Sequence, residues 1–172
     1  MITKEQLRKI YIYATKANID KFYDVLVEQM ELAGIDTILR QSAFLAQIGH
    51  ESGQLRYVEE IASGIAYEGR KDLGNIMVGD GKRFKGRGLI QITGRANYTA
   101  LSADLKFDFV QEPTTLSQPL WAVKSTIWFW NKKKLNTWAD IPDFQRITRI
   151  INGGLNGYSD RLHLYELAKK IL

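Results

Sequence analysis

Two glutamates, Glu51 and Glu60, stand nine positions apart on either side of a Ser52-Gly53 break. A carboxylic acid and a carboxylate on opposite walls of a cleft are the minimum apparatus for hydrolysing a glycosidic bond: the acid protonates the leaving oxygen and the base activates water. Glu51 falls in the last turn of a predicted, otherwise apolar helix. The unpaired carbonyls there, and partial burial, disfavour a charged carboxylate. A glutamate kept protonated near neutral pH is what a general acid requires. A chain that turns at Gly53 and returns as a hairpin would face Glu60 towards Glu51. Glu59 is the confounder, because neighbours in an extended segment point to opposite faces. Taken singly, Glu51 reads more readily as an ordinary helix-end glutamate facing water.

Other chemistries find no pattern. His50-Glu51 begins the zinc-protease motif H-E-x-x-H, but its fifth position is Gln54. Gly79-Asp80-Gly81 leads to Phe84 where a dinucleotide fingerprint needs glycine, and Lys82 is followed by Arg83 where a phosphate loop needs Ser or Thr. There is no G-x-S-x-G elbow. Two histidines and no cysteine leave little for a zinc site, so no metal and no cofactor is expected.

The elements that must hold the two glutamates read as mainly helical. Thr3 with Gln6 makes a capping box ahead of Leu7, Ile10, Tyr11 and Ala14. A second helix is expected from about Asp20 to Gly34, and a third, capped by Asp36, to Ser52-Gly53. From Gln54 to about Gly94 glycines recur and the helical period disappears; Leu55, Tyr57 and Tyr67 favour extended structure, and a small hairpin with long working loops is expected. Helical spacing returns from Pro119, from Asp143 to Gly153-Gly154, and from Ser159 onwards. The fold class is α+β, mainly α, in a single domain over residues 1–172.

The chain's 172 residues are 45% hydrophobic and 25% charged, ordinary for a globular protein. No run approaches the length of a membrane-spanning helix, so no stable membrane insertion is expected, and the first residues do not read as a secretory signal. The net charge is +5, divided as −2 over residues 1–60 and +7 over 61–172. Such a field suits a polyanion, whether nucleic acid, anionic lipid or acidic glycan, or merely a solvated surface; no nucleic-acid motif accompanies it. Of the tryptophans, those on the helix from Pro119 are expected in the core, and Trp138, in a loop, is the better sugar platform. Lys132-Lys133-Lys134 suits a helix C-terminus.

Four ordered motifs carry a resemblance. His50-Glu51-Ser52-Gly53 resembles the His-Glu-(Thr/Ser)-Gly signature of glycoside hydrolase family 19, the chitinases and phage endolysins. Phe84-Lys85-Gly86-Arg87-Gly88-Leu89-Ile90-Gln91-Ile92-Thr93-Gly94 is similar to the family's central motif, and Ile150-Ile151-Asn152-Gly153-Gly154 and Asp160-Arg161 match two further segments. The resemblance implies a lysozyme-like fold, Glu51 as general acid and Glu60, at the spacing of the bacterial and phage branch, as base. Glu68, nearer the plant spacing, is the rival. It implies that Thr93 helps hold the attacking water, that Gln91 and Asn152 contact the sugar, that Arg161 orients carboxylates, and that Tyr57 and Glu68 belong with the substrate-binding residues. The plant glutamate after Asn-Gly-Gly is here Asn156, and the plant cysteines are missing.

A short, basic, cysteine-free chain with no export signal is similar to phage or prophage endolysins. The expected partner is then the peptidoglycan glycan strand, and the enzyme an inverting one cutting the N-acetylmuramic acid to N-acetylglucosamine bond as a monomer. It would be made in the host bacterial cytoplasm and reach the periplasm and cell wall after release by a separate factor. Chitin hydrolysis and non-catalytic glycan binding are the alternatives.

Overall fold

The computed structural model describes residues 1–172. Nine α-helices follow one another: α1 (Lys4–Ile10), α2 (Lys16–Leu32), α3 (Ile38–Glu51), α4 (Asp80–Arg83), α5 (Arg95–Leu105), α6 (Pro119–Lys132), α7 (Leu135–Asp140), α8 (Phe144–Asn152) and α9 (Tyr158–Ile171), with 3-10 turns at Ile65–Tyr67, Lys71–Leu73 and Pro113–Ser117. The capping box at Thr3 is present. Helix α2 begins at Lys16, four residues ahead of the start expected at Asp20, because the Thr15 hydroxyl caps it by accepting the Asn18 amide. Thr37 rather than Asp36 caps α3, accepting the Arg40 amide. Helices α4, α5 and α7 were not expected. Helix α4 is a single turn where a loop was expected, and α5 and α7 bury two residues each, Tyr98 with Leu101 and Leu135 with Ala139, too few to set a visible period.

The chain divides into two compact units, Met1–Arg56 with Ile127–Leu172, and Tyr57–Thr126. In the first, α3 is the central helix: every residue from Gln41 to Gly49 is buried. Gly49 lets the Tyr11 ring come so close that a Cβ would lie 2.7 Å from it. Phe44 meets Trp130 edge-on at 5.1 Å, and Phe144 stacks on Tyr165 at 4.3 Å. After α3 the backbone makes a left-handed turn, with φ of +56°, +60° and +68° at Gly53, Gln54 and Leu55. Leu55 was expected to be extended. Left-handed backbone at a leucine costs about 1–2 kcal/mol; burial of its side chain and the bond from its amide to Ser52 Oγ (2.8 Å) offset that.

The second unit gathers Phe84, Leu89, Ile92, Tyr98, Leu101, Phe109 and Leu116 into its core. Its β element is minimal: two isolated antiparallel bridges share Arg87, one to Glu59 and one to Ile92, in place of a full hairpin ladder. Tyr67, also expected to be extended, lies in a 3-10 turn. Loops this polar need buried ions as struts. Arg87 reaches the Arg83 carbonyl (2.8 Å) and the Tyr98 hydroxyl (3.1 Å). Asp80, 1% exposed, takes Arg95 at 2.6 and 2.9 Å and the Met77 amide. The Arg95 hydrogen bond holds the Asp80 carboxyl below the usual carboxylate range against the opposing effect of burial. Burial pushes the Tyr98 phenol up to about 12.

Candidate active site

Glu51 stands in the last turn of α3, as its sequence position implies, with Ser52 as C-cap. Its Oε1 accepts a 2.5 Å hydrogen bond from Arg161 Nη2 of α9. Arg161 is 1% exposed and Glu51's side chain 20% exposed, so the two form a partly buried hydrogen-bonded pair where the end of α3 meets the first turn of α9. The guanidinium is a positive counterweight to the helix-end carbonyls, one that position on α3 alone could not reveal. Beside it, His50 Nδ1 lies 2.6 Å from Asp160 Oδ2. Asn152 is the last residue of α8, and its buried Nδ2 has no hydrogen-bond partner.

Glu60 is held differently. Its Oε1 accepts from the Tyr67 hydroxyl (3.0 Å) and its Oε2 from the Gly86 amide (3.1 Å), while its own amide donates to the Gly86 carbonyl (2.9 Å). Both carboxylate oxygens therefore meet neutral donors. The neighbouring Glu59 takes the cations instead: Lys85 Nζ at 3.0 Å and Arg87 Nη2 at 3.2 Å. Burial pushes the Glu59 carboxyl up, but the Lys85 hydrogen bond and the charges of Arg87 and Lys85 outweigh it and hold it below the usual range. The two adjacent glutamates are thus sorted, one into a salt bridge and one into a cradle of dipoles. For Tyr67, burial and then the bond to Glu60 raise its phenol.

The central motif builds this cradle. Gly86 is needed for close approach: a Cβ there would meet Gln91 Oε1 at 2.8 Å and Glu60 Oε2 at 3.3 Å. Gly88 is needed for its φ of +84°, with Ser125 Oγ 2.7 Å from where a Cβ would lie. Gln91 is itself left-handed, φ +55°, and its Nε2 is tied to the Gly88 carbonyl (2.9 Å). Thr93 Oγ1 donates to the Gln91 carbonyl (2.9 Å). Both side chains are half-buried in their own loop. Glu68 has another occupation: its oxygens accept the Gly79 amide (2.6 Å) and the Gly81 amide (2.8 Å) at the start of α4. Tyr57 is exposed. Trp138, expected in a loop, is in α7 and half-buried, with the Arg146 guanidinium 3.6 Å above its ring.

Residues that sequence reading passed over include Tyr67 and Lys85, which sort Glu60 from Glu59, and Gln47, whose Oε1 accepts from Arg161 Nη1 (2.5 Å). Gln47 precedes Glu51 by one helical turn, the spacing at which side chains share a face; that signal was available.

Residues 40–140 match the family model described as Chitinase class I of glycoside hydrolase family 19. A glycosyl hydrolase family 19 domain-containing protein of Haemophilus influenzae is 33% identical over 196 aligned positions, which cover 96% of this chain and 94% of that protein. An Arabidopsis thaliana endochitinase is 37% identical over 114 positions, 66% of this chain but only 39% of the plant protein. Among solved structures, a bacterial family 19 chitinase superposes with a TM-score of 0.79 at 22% identity, covering 99% of this chain and 94% of its own. Chitinase C of Streptomyces griseus gives 0.78 at 20%, covering 99% and 76%. The mainly helical, lysozyme-like fold is shared with both. By its motif-bearing loops, its match to the family model and its full-length likeness to a bacterial relative, this chain belongs to glycoside hydrolase family 19 and is a glycosidase.

Proposed function

We propose that this glycosidase is a phage or prophage endolysin that hydrolyses the β-1,4 bond from N-acetylmuramic acid to N-acetylglucosamine in peptidoglycan, with inversion. Glu51 gives its proton to the leaving glycosidic oxygen; Glu60 takes a proton from water as that water's oxygen attacks the anomeric carbon, and the sugar leaves as the α anomer. Thr93 helps hold the water, with Gln91, Asn152 and Tyr57 on the substrate, Glu68 bracing the loop at Gly79 and Gly81, and Arg161 orienting Glu51. The observation that carries the two-carboxylate reading is the sorting of Glu59 and Glu60: the carboxylate oxygens of Glu60 meet only neutral donors, and the nearby Lys85 ammonium is taken by the Glu59 carboxylate and the Glu60 backbone carbonyl, so no cation competes with water for the basic oxygens.

The net charge of +5 favours an acidic wall polymer over neutral chitin. On this reading the monomeric enzyme is made in a bacterial cytoplasm and meets the wall after a separate factor releases it. Chitin hydrolysis is the second reading, favoured by the endochitinase relatives at 37% identity. Mass spectrometry of products from purified peptidoglycan and, separately, from chitin oligomers decides between them. Fragments with reducing-end muramic acid support the first; cleavage of chitin oligomers alone replaces it with the second.

A further inference from the structure

We infer that Gln47 and Thr148 are positioning residues for the general acid, acting on Glu51 through the guanidinium of Arg161. The inference rests on the reading of Glu51 as the acid. Three donors line up in one direction: Arg161 Nη1 donates to Gln47 Oε1 (2.5 Å), Gln47 Nε2 donates to Thr148 Oγ1 (2.8 Å), and Thr148 Oγ1 donates to the Phe144 carbonyl (3.1 Å). Gln47 and Thr148 are each 0% exposed and Arg161 1%, so water cannot substitute for any member.

The order of this relay is set at its far end. The Phe144 carbonyl can only accept, so the threonine hydroxyl spends its proton there and offers a lone pair to Gln47. That lone pair demands the NH2 end of the amide. The carbonyl end of Gln47 therefore faces Arg161, the only arrangement in which a guanidinium finds an acceptor. A flipped amide would set NH2 against guanidinium. With Nη1 anchored to Gln47 and Nε held by the Asn156 carbonyl (3.3 Å), the planar fork has one orientation left, and Nη2 meets Glu51 Oε1. Arg161 thus fixes one oxygen of Glu51, and the other, Oε2, is left to carry the proton that is donated. A hydroxyl on α8 governs the aim of a carboxyl on α3 by way of a side chain on α9.

The test measures kcat, KM and melting temperature for Gln47→Met, Thr148→Val, Thr148→Ser and the double variant Gln47→Met with Thr148→Val, beside Glu51→Gln, on one glycan substrate that the wild type cleaves. Gln47→Met should lower kcat about 10- to 100-fold with KM nearly unchanged, since misaim of a reacting group costs turnover rather than binding. Thr148→Val should lower it less, and Thr148→Ser, which keeps the hydroxyl, should restore it. The double variant should be no worse than Gln47→Met, because the relay is already broken. If Gln47→Met does not fold, Gln47→Glu, which keeps the acceptor for Arg161 but draws the guanidinium away from Glu51, should show the same loss of kcat. Folded variants with wild-type kcat and only a lowered melting temperature would reduce the relay to a structural role, as would losses that multiply in the double variant or a Thr148→Ser that does not rescue. An active Glu51→Gln is a separate failure: it removes the acid assignment, and the relay's purpose with it.

Discussion

The surroundings of Glu51 and Glu60 show two ways of holding a carboxylate. Glu51 sits on a helix buried all round, and its partner Arg161 comes from another helix of the same unit, 110 positions away in the chain. Glu60 sits in a unit whose only β pairing is two isolated bridges, and its partners, Tyr67 and Gly86, come from neighbouring loops. A charge on a rigid helix sets the aim of the first. Two neutral dipoles, one of them a backbone amide that only a glycine lets close, hold the second without neutralising it. Asymmetry of this kind suits one group that gives a proton and another that receives one.

The comparison breaks first at Glu51. Glu51→Gln should fold with a melting temperature close to wild type and lose turnover by roughly a hundred- to ten-thousand-fold, since the amide has no proton to give. Turnover on isolated cell walls or chitin oligomers measures this, and a substantially active variant would dismiss Glu51 as the acid. Glu60→Gln comes next: kcat should fall by about a hundredfold or more with KM little altered.

Glu68→Gln sharpens the contrast. An amide can satisfy only one of the two backbone N–H groups of Gly79 and Gly81 that the carboxylate now accepts, so the loop should loosen and turnover fall roughly tenfold. A nearly active Glu60→Gln beside a dead Glu68→Gln would move the base to Glu68. Glu59→Gln should leave turnover within about twofold of wild type and lower stability modestly, as its partners Lys85 and Arg87 lose their counter-ion.

The smallest effect on turnover is expected at Asp80, whose effect lies in stability. Its folded carboxyl is held below its unfolded value, so the unfolded chain takes up protons first as pH falls. The stability it contributes is complete above the ordinary aspartate range, around pH 4, and is lost as pH falls through the folded value. Asp80→Asn should therefore be less stable at neutral pH by about 3 kcal/mol, because Arg95 is left unpaired, and should show a flatter acid limb in melting temperature against pH. An acid limb as steep as wild type would place the acid sensitivity elsewhere.

Local signals carried the helices that bury a full stripe: the capping box at Thr3, Pro119 opening α6 and Gly153 closing α8 all stand where side-chain type alone places them. They also put Glu51 in the last turn of α3. They failed where tertiary contacts override propensity. Leu55 and Tyr67, expected to be extended, are held in left-handed and 3-10 backbone, and Trp138 gained a helix and an arginine lid.

Alone, the sequence determined the helical character, the position of the two candidate carboxylates and, through four ordered motifs, the family. Those properties are written in periods of a few residues and in short runs of fixed residue type. Tertiary structure decided which glutamate is neutralised and which is not. Glu59 and Glu60 are identical in type and adjacent in the chain, and only the approach of Lys85, Arg87, Tyr67 and the Gly86 amide, 7 to 28 residues away, separates them. Electrostatic environment is a property of what folds against a group, and no local pattern encodes it.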